Sequence, residues 1–417
     1  MGTAQGAHAQ LIQQYFPSDI PGYSPDLSSS VVVRMMNQDQ SQGVEAGDFV
    51  IKPQISENTG YRSDILGTPN SSSSELDSNA SVRINSDWAR DAIGGSFSVD
   101  NQEYPEFPSA NFTNWTAGMG GALALGNDTA TIGYSHLALH LNATDLGVSG
   151  VVTPVPYSVD DVRLSYLKLL SRFSVIPSFE YKNFSFGQSG GALSVNDNTL
   201  SHQTESEGIS TLYELSPGNN ADVILRISQS QFKTSPNDDY VDAGGFIGLD
   251  FRGDSVVQYR ALGGFESRRF SSGVTRTVNT PTFELDAVWT PTRLDTVTAT
   301  GFRELDDPTS PFALNQTITT GRLELDHELR ANLFLRADAG AGESVSQSSI
   351  PGFGADKQRQ LSFGVSAFWN INRNMRGTLS YGYTSGVASG PNNNTANGSG
   401  FATFTSNSIS IGISLFE

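Results

Sequence analysis

The chain closes on "ISIGISLFE", residues 409–417. Ile409, Ile411, Ile413 and Leu415 alternate there with Ser410, Gly412 and Ser414. A period of two puts alternate side chains on opposite faces of a β-strand, so one face is apolar and the other polar. Chain ends of soluble domains are commonly polar and frayed. Here strand character persists to the last residues, and such a strand needs a partner along its edge.

The same alternation recurs upstream. Val241, Ala243, Gly245, Ile247, Leu249 and Phe251 share one face, with Asp242, Asp250 and Arg252 on the other. Phe283, Leu285, Ala287 and Trp289 oppose Glu284 and Asp286, while Leu323, Leu325 and Leu329 oppose Arg322, Glu324, Asp326 and Glu328. Candidate strands in the first half are 47–61, 78–88, 92–103, 111–125, 129–142, 161–171, 174–186, 202–215 and 221–233. The second half adds 240–252, 256–269, 278–289, 294–305, 315–329, 332–346, 358–371, 374–386 and 402–416, which makes eighteen.

The gaps between them sort by length. Tight turns are expected near Arg90-Asp91, Gly126-Asn127-Asp128, Arg172-Phe173 and Pro217-Gly218, and every second gap after that is also short. The intervening gaps, such as 62–77, 143–160, 187–201 and 387–401, are longer. Short turns at one end and long loops at the other mark an antiparallel transmembrane β-barrel with an even strand number. A soluble sandwich has no reason to sort its loops this way. A propeller would show a repeat of about 40 residues, and none is visible.

Composition agrees. In 417 residues there are 42 Gly, no Cys and 10% aromatics, which favours turn-rich β structure without disulfides or thiolate metal sites. No apolar run is long enough for a membrane helix, a test to which β-strands are blind. A net charge of −18 argues against nucleic acid as a partner. Trp88, Trp115, Trp289 and Trp369 fall near predicted strand ends, where interfacial girdles belong. Two segments, "TIGYSHLALHLN" and "SYLKLLSR", carry apolar residues in both registers; a bulge, an inward apolar patch or a subunit contact would each account for that.

At the N-terminus, Ala7 and Ala9 have the spacing of a signal-peptidase site, so residues 1–9 read as a signal-peptide remnant or start segment. Residues 10–46 read as an irregular periplasmic or plugging segment, and 47–417 as the barrel.

Several stretches resemble a family of Gram-negative outer-membrane proteins described as "putative β-barrel porins", often associated with exopolysaccharide gene clusters. They are "GVEAGDFVIKPQISENTGYRSDIL" (43–66), "SDWARDAIGG" (86–95), "YELSP" (213–217) and "WTPT" (289–292). The resemblance implies an outer-membrane barrel and no catalytic residues. Barrels of this compartment commonly end on an aromatic; here Glu417 follows Phe416.

Motifs with chemical connotations are weak. His136 and His140, four apart on a strand, share a face about 13 Å apart, too far for one metal ion. Ser135 and His136 are adjacent and so point to opposite faces, so an envelope lipase, kept as a further alternative, would need partners on neighbouring strands. "RGD" at 252–254 falls in a turn on the periplasmic side. "NDNT" (196–199) and "PNDDY" (236–240) lack the spacing of a calcium loop and have the composition of turns. No cofactor is implied.

One constellation stands out. Arg226, Asp242, Asp250, Arg252, Glu284 and Asp286 fall on the polar faces of their strands. So do Arg322, Glu324, Asp326, Glu328, Arg336, Asp338 and Arg376. Arg or Lys facing lipid at the bilayer midplane costs about 2–4 kcal/mol, so these residues are expected to line the lumen. An 18-stranded barrel is wide enough for an aqueous channel. The expectation is an outer-membrane channel for passive passage of hydrophilic solutes; exopolysaccharide export, its narrower form, is what the family resemblance implies. A closed barrel stiffened by internal ion pairs is the alternative. Expected partners are outer-membrane lipid or lipopolysaccharide, the barrel-assembly machinery, and polysaccharide with its periplasmic export partners.

Overall fold

The computed structural model describes Pro21 and residues 43–149, 151, 153–187, 197–253, 256–271, 277–309, 313–348, 355–390 and 401–417. The signal-peptidase-like site, nearly all of the 10–46 segment, Asn196 of "NDNT" and Asp254 of "RGD" lie outside the described residues.

The first strands are β1 (Val44–Ala46), β2 (Phe49–Arg62), β3 (Ser73–Ser86), β4 (Ala92–Glu103), β5 (Phe112–Leu125) and β6 (Asp128–Leu141). There follow β7 (Val155–Leu170), β8 (Phe173–Phe186), β9 (His202–Ser216), β10 (Asn219–Phe232), β11 (Tyr240–Phe251), β12 (Val257–Phe270) and β13 (Thr277–Trp289). The last are β14 (Asp295–Asp306), β15 (Ala313–Arg330), β16 (Leu333–Ser348), β17 (Asp356–Asn372), β18 (Met375–Ser389) and β19 (Phe404–Phe416). Each from β2 to β19 pairs antiparallel with the next. The ring closes where β19 pairs with β2, Ile409 opposite Tyr61 and Leu415 opposite Ile55. The eighteen expected strands are those of the barrel, β2 to β19. Closure leaves no free edge, so backbone groups within the bilayer find partners inside the wall.

The three-residue strand β1 precedes them and pairs with the lower edge of β2, Val44 opposite Ile51. Helical structure among the described residues is limited to three short 3-10 turns, at Pro108–Ala110, Asp197–Leu200 and Pro236–Asp238. None of these is long and apolar enough to cross a membrane, which says nothing of strands.

The two faces differ as the alternation required. Ile409, Ile411, Ile413 and Leu415 are 41–61% exposed on the outside. Ile247 and Phe265 reach 70% and 68%. In water such a belt would be untenable; against acyl chains it is the contact surface. Trp88, Trp289 and Trp369 mark the turn end of this belt, and Tyr61 and Trp115 the loop end, all of them exposed. Phe416, out of step with the isoleucines, sits on the interior side, where the Arg376 guanidinium lies 5.3 Å from its ring centroid.

The segment with apolar residues in both registers is resolved as an inward apolar patch. Leu137, Leu139 and Leu141 of β6 pack with Val155, Tyr157 and Val159 of β7, all at most 4% exposed. Val148 and Val151, from the loop joining β6 to β7, cover them. In "SYLKLLSR", Tyr166 and Lys168 instead bind Asp128 across the strand pair, at 2.8 and 2.6 Å.

Candidate transport pathway

The interior wall is polar and its charges are organised in clusters. On β15 and β16, Arg336 binds Asp326 at 2.7 Å and Glu324 at 3.1 Å. Arg322 reaches Glu324 at 3.3 Å and Asp338 at 3.6 Å. Pairing explains the proximity: Glu324 stands opposite Asp338, and Asp326 opposite Arg336. Direct pairing sets acid against base at Asp326–Arg336, and the two facing acids Glu324 and Asp338 are bridged by Arg322.

A second cluster spans β10 to β13. Arg260 lies 3.7 Å from Asp222 and 3.5 Å from Glu284, and it faces Asp286 in the register of β12 and β13. Arg252 folds back on Asp250 at 2.8 Å, which gives the arginine of "RGD" an intramolecular partner. Asp242 receives a two-pronged contact from Arg268, both bonds at 2.9 Å. Arg268 is 2% exposed; it also donates to the Asp306 carbonyl and to Asn315, and it lies 3.7 Å over the Tyr240 ring. Asp307, in the loop after β14, takes the Tyr240 hydroxyl and lies 3.1 Å from His202 Nε2. Burial alone would raise the Asp307 carboxyl, but His202 and Arg268 hold it well below the usual carboxylate range.

Of the remaining expected residues, Arg226 is exposed, with its guanidinium 5.8 Å from the Phe246 ring and no ion pair among the described residues. Arg376 donates to Asn370 at 2.7 Å. Glu328 sits beside a register shift in the pairing of β15 with β16 and has a buried oxygen without a hydrogen-bond partner. The thirteen residues are therefore not one site: most fall into two clusters, Asp242 binds Arg268 eight residues along the strands from the Asp250–Arg260 pair, and Arg226, Glu328 and Arg376 stand apart. A further cluster, Asp161, Arg163, Glu180 and Lys182 on β7 and β8, is held by ion pairs of 2.9–3.1 Å.

The sequence marks 143–160 only as one of the long gaps, and nothing in it places the loop between β6 and β7 inside the barrel. That loop turns inward and docks on the opposite wall. Gly147 N–H donates to Gln358 Oε1 at 2.7 Å. The Gly147 carbonyl accepts from Thr309 Oγ1 at 2.8 Å and Gln316 Nε2 at 3.2 Å. Gln360 donates to the Thr144 carbonyl at 2.8 Å. Leu146, 1% exposed, packs on Ile318 and Phe302. Gly147 has φ of +84°, and an added Cβ would overlap Gln316, so only glycine fits there. Asp145 is 1% exposed and accepts from Asn142 N–H at 2.8 Å. Burial pushes its carboxyl up to about 7, against the pull of that backbone bond and of Arg62.

Among the described residues the candidate histidines are not brought together. His136 binds Asp160 at 2.8 Å and His140 binds Asn114 at 3.1 Å, each with its own partner. Ser135 is paired opposite Asp161 and His136 opposite Asp160, on opposite faces of β6. In "PNDDY", Asp239 accepts from Phe232 N–H at 2.7 Å and closes a turn. Among the described residues no group of three or more His, Asp or Glu could hold a metal ion.

The chain resembles solved outer-membrane proteins at low identity. Acinetobacter baumannii OccAB3 is 10% identical, with a TM-score of 0.49 over 89% of this chain and 100% of that one. The outer membrane protein opdK from Pseudomonas aeruginosa is 9% identical, with a TM-score of 0.49 over 88% and 99%. No curated protein matches this sequence. The family model described as "Putative beta-barrel porin 2" matches residues 39–406. The chain therefore belongs to that family, and it is a porin-like channel protein of the bacterial outer membrane rather than an enzyme.

Proposed function

We propose that this barrel passes small hydrophilic solutes, carbohydrates among them, down their gradients, through a lumen narrowed by the loop at 142–149. The observation that carries the reading is the combination of a polar interior with one loop pinned across it by side-chain amides. Amide and hydroxyl groups offer both donors and acceptors to a hydroxylated solute. Clusters of mixed sign present fixed dipoles with a modest acidic excess, so discrimination by charge is weak and leans toward cations.

Export of an intact polysaccharide strand is the narrower reading. It requires the loop to leave its dock, because Leu146 and Gly147 otherwise occupy the section through which the strand would thread. The rival is a closed barrel, favoured by the near-complete burial of Leu146, Ile318, Gln316 and Gln358.

Planar-bilayer recording of the folded full-length protein separates these readings. Discrete conductance steps are expected, reduced by mono- and disaccharides and insensitive to dextrans too large to enter. Absence of steps under all voltages would establish the closed barrel. Passage of long dextrans only after the loop is released would favour polymer export.

A further inference from the structure

At the loop end of the outer wall, charges are sorted by side. Outward positions on β4 to β9 carry acids: Glu103, Glu205 and Glu207 are exposed, and Asp160 is partly so. Outward positions on β12 to β17 carry Arg269, Arg303, Lys357 and Arg359, with Glu343 the one acid among them. Register fixes the outward assignment. Arg303 stands opposite Phe283, Arg359 is two residues above Leu361, and Arg269 is four above Phe265, all three of these apolar residues being lipid-facing and 41–68% exposed. In a chain of net charge −18 such a basic arc is not a compositional accident.

The arc is poised rather than neutralised. Arg303 is held by the Pro281 carbonyl at 3.1 Å and Thr319 Oγ1 at 2.8 Å. Arg359 contacts Glu343 at 2.7 Å, yet its side chain is 72% exposed. Arg269 and Lys357 are exposed and form no ion pair among the described residues. Arg303, Thr319, Glu343 and Arg359 lie in one cross-strand row, so the two guanidinium-bearing positions are roughly 14 Å apart, three strand spacings. Directly below lies an uninterrupted apolar belt with Phe265, Leu361 and Phe363.

We propose that this arc is a docking surface for a phosphate-bearing glycolipid of the outer leaflet. Its acyl chains lie on the belt and its phosphates on the four cations. Arginine forks match phosphate oxygens, and a head group phosphorylated at both ends spans the row. The acidic arc repels the same head groups, so lipid binding is one-sided. The chemistry favours lipid over a second copy of the chain because the cations are continuous with the acyl-facing belt.

Full-length barrel folded in neutral detergent is titrated with diphosphorylated lipid A and with its dephosphorylated form, and bound lipid is counted by native mass spectrometry. At least tenfold tighter binding of the phosphorylated form is expected, weakening with salt. Arg269→Glu, Lys357→Glu and Arg359→Glu together should abolish that preference while heat-dependent gel migration stays unchanged. Glu205→Gln with Glu207→Gln should leave it intact. If the reversed variant does not fold, glutamine at the three basic positions repeats the test, with a loss of at least fivefold. Equal binding of the two lipids, or a preference that survives in the variant, overturns the proposal. A dimer lost in both the basic-arc and the acidic-arc variants would also overturn it, assigning the two arcs to each other.

Discussion

Gly147 is the residue on which the pathway turns. Its backbone offers one donor and one acceptor, and three side chains of the far wall take both. Gly147→Ala would force a left-handed conformation on a residue with a Cβ, at about 1–2 kcal/mol, and would displace Gln316 as well. The variant should fold normally but show larger open-channel noise and conductance in bilayer recordings. Asp145 sits two residues away and adds pH dependence. Its carboxyl in the docked loop titrates at about 7, above its ordinary value of 3.8. The docked state therefore holds the proton more firmly than the released state. Its contribution is complete below about pH 4 and is lost as pH rises through 7. Single-channel records should show the loop releasing more often at pH 7.5 than at pH 4.5, and Asp145→Asn should flatten that difference. Glu106, in the loop after β4, has the opposite sign. Hydrogen bonds from Ser73 and Ser74 hold its carboxyl down at about 2, so it stays ionised throughout this range.

At the scale of the element, the inward loop and the strands beneath it are one design. The inner face of β6 and β7 is apolar at its loop end, which no water-filled channel would tolerate uncovered. The loop supplies the cover through Val148 and Val151 and crosses to the far wall through Leu146. Leu146→Ala should cost the dock about 2–5 kcal/mol, more than the loss of any one glutamine bond at about 0.5–1.5 kcal/mol. Protease accessibility at 142–149 on the folded barrel should thus rise more for Leu146→Ala than for Gln360→Ala. This element was only half legible in the sequence. The doubled apolar register of "TIGYSHLALHLN" signalled that something covers the inner face. Nothing in "NATDLGVSG" (142–150) said that the cover is the adjoining loop, because its anchors at Gln316, Gln358 and Gln360 lie some 170–220 residues away.

For the whole molecule, the barrel predicts heat-modifiable migration on a denaturing gel, since the hydrogen-bonded ring resists detergent until heated. Its interior predicts the selectivity. Arg336→Glu would place a third acid beside Glu324 and Asp326 and remove the cation bridging them. Reversal potentials in a salt gradient should shift toward cation preference, with Arg322→Glu acting in the same direction. The fold was legible because period-two alternation and loop-length parity are properties of local sequence. The polar face of each strand was legible for the same reason, and Glu324 through Asp338 emerged as partners once β15 and β16 were in register. Arg268, Arg260 and the cluster around Arg163 and Glu180 escaped notice. Their strands, such as "VQYRALGGFESRRF", place glycines or polar residues on the lipid side and blur the alternation.

The short strand β1 has a mechanical role that follows from where the ring closes. The last strand reaches only as far down β2 as Gln54, and the edge below, from Phe49 to Ile51, is already taken by Val44–Ala46. A two-residue slip of β19 toward the periplasm would keep its isoleucines facing outward, so the hydrophobic pattern alone does not forbid it. The hairpin at Gly47 does, because the slipped strand would have to evict it. Val44–Ala46 is thus a doorstop for the seam: it sets the stagger at which the cylinder closes, and with it the tilt of every other strand.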